Sequence, residues 1–340
     1  FPHVGNLGRN IIFRSENPEG TRGHIFATMR TNLEIRYVRF AGLGRTVATR
    51  SLDSTEFDGS GNVIKVGTNQ LGRYPVHMHH AIGPRTSPPD GCQFTLEGNA
   101  VQDSKRWAMV IHDSSWGCIR KNVLYDGEGD GMTTEQGSEV FNRFEENLVV
   151  AMIGRGESYS EAAPRHGSGN GHCFWLAGVK NYFRKNVVAD CINGYIFVGS
   201  NRPNEIGPLN IVSGPQLADQ QSIPLFPGAD PMDPDESEVK NVFAFSIPEF
   251  SDNEAYALET GLMIYHGGSL LEPTAVFDRY VAWHPSYTAY FPTVTRRIRE
   301  FKDNIYLGKY YPQYQQYGQR GSSYGMDFHY GSERVIVRNT

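Results

Sequence analysis

The stretch IRKNVLYD, residues 119–126, decides the fold because variants of it recur along the chain. Each copy has a polar or charged pair, then an asparagine, then a short β-prone run. The other copies are LEGNAVQD (96–103), FEENLVVA (144–151), FRKNVVAD (183–190), EVKNVFAF (238–245) and FKDNIYLG (301–308). This recurrence indicates a protein built from stacked copies of one small structural unit.

The spacing of these asparagines predicts the architecture. Asn99, Asn122 and Asn147 are separated by 23 and then 25 residues, and the wider later intervals leave room for loops or unmarked turns. An asparagine at the same corner of every coil would adopt the left-handed backbone geometry and hydrogen-bond to its neighbour in the next coil. We therefore expect an all-β fold, a single-stranded right-handed parallel β-helix (a solenoid) with long loops. An antiparallel sandwich with coincidental asparagine spacing is the alternative.

The composition between the repeats predicts the domain organisation. Residues 1–340 are expected to form one β-helix domain, with core turns at about 4–200 and 238–308. Residues 200–237 are rich in Pro, Gly and Asp and should leave the helix as a long loop, and residues 154–171 should form a second loop. Residues 309–340, rich in Tyr, Gln and Gly, are expected to wrap over the helix.

Charge and hydropathy exclude some classes of partner. The chain has 32 Lys and Arg against 37 Asp and Glu, a net charge of −5, which argues against non-specific nucleic-acid binding. No run of 18 apolar residues is present, so no transmembrane segment is expected in this piece.

The first residues and the cysteines bear on location. The chain opens Phe1-Pro2-His3 without methionine or an apolar leader, and we expect a piece of a longer precursor that is secreted or lies on the extracellular face of a cell-surface protein. Four cysteines allow three pairings, and two disulfides and four buried thiols remain open as alternatives. They are Cys92, Cys118, Cys173 and Cys191.

A column of histidines emerges when the strands before successive corners are stacked. These strands are YPVHMHH (74–80), WAMVIHD (107–113) and DGMTTEQ (130–136). In this alignment His79 lies below His112, and His112 lies below Glu135. Alternate residues of a strand share a face, so His77 points to the same side. The following coils are expected to close the column with Trp175 and Val198.

Imidazoles and a carboxylate that converge in this way suit one divalent metal ion, namely Zn, Mn, Ni, Fe or, less readily, Ca. The predicted ligands are His77, His79, His112 and Glu135. His24 could add a ligand from an earlier turn. The alternative is a column of packed histidines that hydrogen-bond to Glu135, to Thr133 or to water.

Other polar groups are candidates for proton transfer and substrate binding. Asp130 or Glu128 could carry a proton, and Arg73 could act beside the histidines on the substrate. Guanidinium and imidazole groups near the predicted loops could bind the carboxylates of an acidic sugar polymer. These candidate substrate-binding residues are Arg155, Arg165, His166 and His172.

Three segments together resemble a known family. They are GRYPVHMHH (72–80), WAMVIHDSSWGCIRKNVLYDGEGDGMTTEQGSEVFNRFEENLVV (107–150) and GHCFWLAGVKNYFRKNVVADCINGYIFV (171–198). They are similar to the β-helix region of the animal cell-surface and cell-migration-inducing hyaluronidase family. The residues that match its motifs are Arg73, Tyr74, Pro75, His77, His79, His112 and Glu135. The turn EQGSE (135–139) departs from the Glu-Asp-Gly of that family, and residues 200–340 show no match.

The resemblance implies an extracellular protein that acts on or binds hyaluronan-like glycosaminoglycans. We therefore expect a secreted, metal-dependent enzyme that degrades uronic-acid-containing glycans, as a hydrolase or a lyase. Its expected catalytic residues are Glu135, His112, Asp130 and Arg73. A non-catalytic glycan-binding or matrix protein with a structural histidine column is the first alternative. A non-haem metal oxidoreductase is the second.

Overall fold

The chain winds into a coil of short strands that lie above one another in parallel sheets. The computed structural model describes residues 3–28, 31–47, 50–81, 88, 91–135, 137, 139–154, 169–198, 210–213, 238–241, 246–267, 275–286, 288–295, 298–308, 324–326 and 334–340. Within these residues three sheets contain nine parallel strands each. The fold is a parallel β-helix, as the asparagine repeat predicts.

The strands follow one another in the order sheet 1, sheet 2, sheet 3 through most coils. Sheet 1 consists of Ile11–Arg14, Val38–Ala41, Ala100–Lys105, Val123–Glu128, Leu148–Ile153, Val187–Ala189, Glu254–Tyr256, Val281–Trp283 and Ile305–Leu307. Sheet 2 consists of Ile25–Thr28, Val76–His79, Met109–His112, Met132–Thr134, Phe174–Leu176, Asn193–Phe197, Thr260–Gly267, Thr288–Thr295 and Tyr324–Met326. Sheet 3 consists of Leu33–Arg36, Phe94–Glu97, Gly117–Arg120, Arg143–Glu145, Tyr182–Arg184, Glu249–Ser251, Ala275–Asp278, Ile298–Lys302 and Arg334–Arg338.

Two antiparallel ribbons lie outside these sheets. Glu56–Phe57 pairs with Val63–Lys65, and Asn210–Ser213 pairs with Glu238–Asn241. Among the described residues no helix has the length and apolar character needed to cross a bilayer.

Inward-facing side chains form one apolar core along the coil. In sheet 2, Val76 and Met78 point inward and are almost fully buried, whereas His77 and His79 between and after them point outward. In sheet 3, the Phe144 ring stacks on the Phe183 ring of the next coil at 5.2 Å. Each fully buried side chain of this size contributes about 1.5–3 kcal/mol to stability.

A buried asparagine ladder fixes the register between sheets 3 and 1. The Oδ1 atom of Asn147 accepts a hydrogen bond from the backbone N–H of Asn122 at 3.0 Å, and its Nδ2 donates to the Ile119 carbonyl at 2.9 Å. Asn122, Asn186 and Asn253 repeat this pattern. The ladder thus satisfies backbone groups that the sharp corner leaves without strand partners.

The expectation that the asparagines themselves adopt the left-handed geometry is wrong. The residue before each asparagine does so, with φ of 56° at Lys121, 55° at Glu146 and 54° at Lys185. These three side chains are exposed, whereas the asparagines are buried with their amides committed to the ladder. The turn therefore falls on the solvent-facing position.

The copy at Asn241 is also misassigned. Asn241 pairs antiparallel with Asn210 in a ribbon outside the three sheets. The ladder continues instead at Asn253, whose Oδ1 accepts the Asn186 N–H at 3.0 Å. Tyr280 occupies the next corner, and its N–H donates to Asn304 Oδ1 at 2.6 Å.

A second, shorter ladder lies between sheets 2 and 3. The Gly117 N–H donates to Asn142 Oδ1 at 2.7 Å, and the Asn142 N–H donates to Asn181 Oδ1 at 2.8 Å. Asn181 Nδ2 donates to the Glu139 carbonyl at 2.9 Å. This ladder anchors the backbone directly behind the outward-facing histidines.

The C-terminal segment extends the coil where the structure describes it. Tyr324–Met326 pairs in parallel with Thr288–Thr295, and Arg334–Arg338 pairs with Ile298–Lys302. The expectation of a wrap over residues 309–340 is wrong for these two strands, because they continue the sheets in register. The predicted loop at 200–237 lies largely outside the described residues.

The four cysteines form two disulfides, and each disulfide joins neighbouring coils. Cys92 bonds to Cys118 and Cys173 bonds to Cys191, with Cα–Cα distances of 5.6 and 5.7 Å. Of the two alternatives left open by the sequence, two disulfides are present.

Candidate metal centre

The predicted stacking of histidine and glutamate is confirmed by the strand register of sheet 2. His112 pairs with His79, and Glu135 follows Thr134, which pairs with Ile111. We call the outward-facing set His79, His112, Glu135, Ala177 and Val198 the histidine column. It ends in apolar side chains, as expected.

Trp175 does not belong to this column, contrary to the prediction. It pairs with Thr133 and so lies two residues away, in the adjacent column that also contains His77 and Val110. The strand Phe174–Leu176 is offset by two positions from the alignment drawn from sequence, and Ala177 takes the place above Glu135.

On the outer face of sheet 2, His77 and Glu135 are buried, whereas His79 and His112 are partly exposed. His77 is 1% exposed and Glu135 is 6% exposed. The Tyr74 ring lies 4.9 Å from His77, and the Trp107 ring contacts both Tyr74 and, at 6.3 Å, Trp175. Burial among aromatic rings strengthens any electrostatic interaction at this site.

One group of three side chains has the geometry of a metal site. Ligand atoms of His77, His112 and Glu135 all lie within 4.8 Å of one another. The Gly72 carbonyl is 2.9 Å from His77 Nδ1, which fixes the proton on that nitrogen and leaves Nε2 with a free lone pair. Glu135 Oε2 lies 3.4 Å from His112 Nδ1. We call these three residues the first triad.

Two of these ligand atoms are buried without a hydrogen bond to any described residue, namely His77 Nε2 and Glu135 Oε2. A buried polar atom without a partner costs about 1–3 kcal/mol, so such atoms are rare in folded proteins. A divalent ion would satisfy both. Two imidazoles and one carboxylate are a ligand set that zinc and iron accept, and the residues present fit such an ion.

The protonation of the first triad follows from its burial and charges. Burial lowers the pKa of His77 well below its ordinary value, so this imidazole is neutral. Burial would also lower the pKa of His112, but the carboxylates of Glu135 and Asp113 raise it to about 9. Burial raises the pKa of Glu135, although His112 and Arg106 act against this. Without a metal, His112 is therefore the counter-charge of Glu135.

The four predicted ligands do not form one cluster. His79 belongs to a second group, with His80 and His112, whose ligand atoms also lie within 4.8 Å of one another. Burial and the neighbouring imidazoles lower the pKa of His79 to about 3. His80 was missed by the strand alternation, because its φ of 56° at the corner turns its ring to the side of His79.

A buried carboxylate holds the turn that carries these residues. Glu139 Oε1 accepts hydrogen bonds from the backbone N–H groups of Asp113 at 3.1 Å and Glu135 at 3.2 Å. Glu139 Oε2 accepts from the Gly137 N–H at 2.9 Å. Glu139, the last residue of the segment EQGSE, therefore fixes the backbone at Glu135. The sequence analysis did not predict this role.

Asp130 and His172 lie away from the metal centre. The Asp130 carboxylate is buried and accepts hydrogen bonds from the backbone N–H groups of Gly169 at 2.6 Å and His172 at 3.0 Å. His172 is buried, and its Nδ1 accepts from Asn193 Nδ2 at 3.0 Å. Asp130 lies two residues before the strand Met132–Thr134 and Glu135 directly follows it, so the two residues stand at opposite ends of that strand. Neither Asp130 nor His172 belongs to the two histidine groups of the described chain, and their catalytic and substrate-binding roles stay predictions.

Arg73 is half-buried beside the turn that orients His77. Its Nη1 donates to the Leu71 carbonyl at 3.3 Å, and burial together with Arg45 lowers its pKa. Among the described residues no carboxylate pairs with it. Glu128 pairs with Lys105 at 2.6 Å instead of facing the histidines.

Four candidate residues remain, and the structure describes one of them, His24. Arg155, Arg165 and His166, predicted to bind substrate, lie outside the described residues. His24 directly precedes the strand Ile25–Thr28 and is in neither histidine group of the described chain.

The sequence matches the CEMIP beta-helix family over residues 44–222, more than half of the chain. This chain belongs to the CEMIP beta-helix family. The matched region contains both histidine groups and Glu135. The resemblance drawn from the GRYPVHMHH segment is thereby confirmed.

Two curated relatives are more distant. Human Fibrocystin-L is 26% identical over 230 residues, which cover 59% of this chain and 5% of the human protein. Mouse Fibrocystin-L is 26% identical over 214 residues, which cover 55% of this chain and 4% of the mouse protein. The chain thus spans a small fraction of the length of these relatives. No solved structure matches it.

Proposed function

We propose that this chain is a metal-dependent enzyme that degrades acidic, uronic-acid-containing glycans of the hyaluronan type. The observation that carries the proposal is the first triad, His77, His112 and Glu135, with ligand atoms within 4.8 Å of one another and two of them, His77 Nε2 and Glu135 Oε2, buried without a hydrogen bond within the described chain. Membership of the CEMIP beta-helix family supports a glycan as substrate.

The residues of the chain divide the work as follows. A bound divalent ion would supply Lewis acidity for a substrate oxygen or a water molecule. His77 is oriented by the Gly72 carbonyl, and the Glu135 carboxylate would offset part of the positive charge of the ion. His112 lies at the partly exposed edge, and its Nδ1 faces Glu135 as a further ligand atom. Arg73, unpaired with any described carboxylate, would bind a uronate carboxylate.

Either of two reactions suits this arrangement. In hydrolysis the residues activate water, whereas in elimination a base removes the C5 proton of the uronate after its carboxylate is neutralised. Elimination leaves an unsaturated sugar that absorbs ultraviolet light. Measuring that absorbance during digestion of hyaluronan assigns the reaction.

The test is a Glu135→Gln variant assayed with hyaluronan in the presence of added zinc or manganese. We expect a loss of at least about 100-fold in turnover, because the amide removes the ligand charge and leaves buried groups unpaired. Glu128→Gln is the matched control, since Glu128 is paired with Lys105 away from the triad. Equal turnover by the wild type and Glu135→Gln would refute the role of the triad.

A second candidate is a non-catalytic glycan-binding protein with a structural metal. It is favoured by the burial of His77 and Glu135, with the Tyr74 ring against His77 and the Trp107 ring against Tyr74. In that case Glu135→Gln lowers thermal stability and metal content, while binding of hyaluronan is unchanged and the wild type shows no turnover.

The two disulfides support a location outside the reducing cytosol, either secreted or on the cell surface. The expected partner is therefore an extracellular acidic polysaccharide. Detection of the oxidised chain in culture medium or at the cell surface tests this location.

A further inference from the structure

We propose that the chain holds a second divalent-ion site, formed by His79, His80, His112 and Asp113. It lies next to the first triad, and the inference rests on the proposed function to the extent that the two sites share His112. The ligand atoms of the three histidines lie within 4.8 Å of one another. Three imidazoles and one carboxylate form a complete tetrahedral set for zinc.

The corner between sheets 2 and 3 brings His80 into this site. Its φ of 56° reverses the strand alternation, so that its ring stacks on the His79 ring at 4.1 Å with an angle of 2° between the planes. The His80 N–H donates to the His112 carbonyl at 2.9 Å, which ties the corner to the next coil. Two consecutive residues thus present imidazoles on the same side.

Asp113 occupies the same corner one coil above and supplies negative charge. Its Oδ2 is 3.2 Å from His80 Nε2 and 3.3 Å from His112 Nε2, and its side chain is 2% exposed. The backbone N–H of Asp113 is held by Glu139. The carboxylate is therefore fixed between two imidazole nitrogens.

An independent observation points to a ligand at this place. His79 Nδ1 is buried and has no hydrogen-bond partner among the described residues. Its ring is 4.6 Å from the His112 ring at nearly a right angle. A cation bound here would satisfy this nitrogen.

His112 separates the two sites through its two nitrogens. Nδ1 lies on the side of Glu135 and Nε2 on the side of Asp113, at 3.4 and 3.3 Å. One imidazole therefore offers one nitrogen to each ion. When both ions bind, two nitrogen–metal bonds form and the N–H protons of the ring pass to solvent.

The test is zinc binding to the metal-free full chain, followed by calorimetry and elemental analysis after gel filtration. The wild type is expected to bind two zinc ions, His80→Ala one and His77→Ala one. His112→Ala should bind neither tightly, because it supplies both sites. The exposed His284→Ala is the control and should bind two, and thermal melting without metal identifies any variant that does not fold.

The outcomes separate this inference from the proposed function. One ion in the wild type that His77→Ala loses and His80→Ala keeps overturns the second site and leaves the first triad intact. One ion lost in His80→Ala and kept in His77→Ala supports the second site and removes the basis of the proposed function. No ion in the wild type overturns both.

Discussion

Glu135 and His112 are the residues in which burial and charge act most strongly against each other. Their closest charged atoms are 3.4 Å apart, and the side chains of His112 and Glu135 are only 15% and 8% exposed, so neither charge is well solvated. A buried pair of this kind contributes little net stability, but removal of one partner is strongly unfavourable. The pair is therefore better explained as a preformed ligand set than as a stabilising contact.

The pKa of His112 leads to a prediction about pH in the metal-free protein. The folded value of about 9 lies above the ordinary 6.5, so this stabilisation is fully present below pH 6.5 and is lost as the pH rises through 9. We expect the excess stability of the wild type over His112→Gln to fall by about 3 kcal/mol across this window. Urea unfolding after chelation, at both ends of the window, measures it.

A difference between these two proteins that does not change with pH would show that His112 is uncharged when folded. The His284→Gln variant, altered at an exposed imidazole, controls for general effects of pH and should track the wild type.

Single residues were only partly predictable from sequence. The alternation of side chains in a strand placed His77, His79 and Glu135 on one face, because each lies within or directly after a regular strand. It failed for His80, whose backbone is left-handed, and it says nothing of the hydrogen bonds that the Asp130 carboxylate accepts from backbone N–H groups. Neither the corner conformation nor the bonding partners can be read from residue type.

At the scale of elements, two asparagines with similar sequence surroundings, Asn241 and Asn253, have different structural positions. Asn253 lies in the ladder, where its amide makes hydrogen bonds with the Asn186 N–H, the Asn186 side chain and the Phe183 carbonyl. Asn241 lies in the separate antiparallel ribbon. The amide of Asn253 therefore pairs with backbone groups that its removal would leave buried and unpaired.

We therefore expect Asn253→Ala to lower the free energy of unfolding by about 3 kcal/mol, because it leaves buried groups without partners. Asn241→Ala should change it by less than about 0.5 kcal/mol. Denaturant unfolding of the two variants beside the wild type measures the difference. Equal losses would mean that the ladder assignment is wrong.

The elements also show why some coils escaped prediction. The motif at Asn253 has Glu254 in place of the usual apolar residue, and the next corner has Tyr280 in place of asparagine. The sequence motif therefore missed the two coils with corners at Asn253 and Tyr280. It wrongly included Asn241, which matches the motif but lies in the antiparallel ribbon. The repeat predicted the kind of fold but not every coil, because the ladder depends on three-dimensional stacking.

At the scale of the whole molecule, each disulfide joins two adjacent coils. Cys92–Cys118 closes a separation of 26 residues and Cys173–Cys191 one of 18. Cross-links of this span stabilise proteins by about 3 kcal/mol each, mainly by restricting the unfolded chain. They lie on either side of the strand that carries Glu135 along the chain.

We expect a Cys173→Ser, Cys191→Ser double variant to unfold with about 3 kcal/mol less free energy than the wild type under oxidising conditions. With a reducing agent in both samples, most of this difference should disappear. A difference that persists undiminished under reduction would show that packing at these positions, and not the cross-link, supplies the stability.

The measurement that tests the metal centre most directly is elemental analysis of the purified full chain by inductively coupled plasma mass spectrometry. It compares the wild type with a His77→Ala, Glu135→Gln double variant and with the Glu128→Gln control. The account predicts at least one equivalent of a divalent metal in the wild type and in the control, and at least one equivalent less in the double variant. The same metal content in all three proteins, or none in the wild type after incubation with zinc, would contradict it.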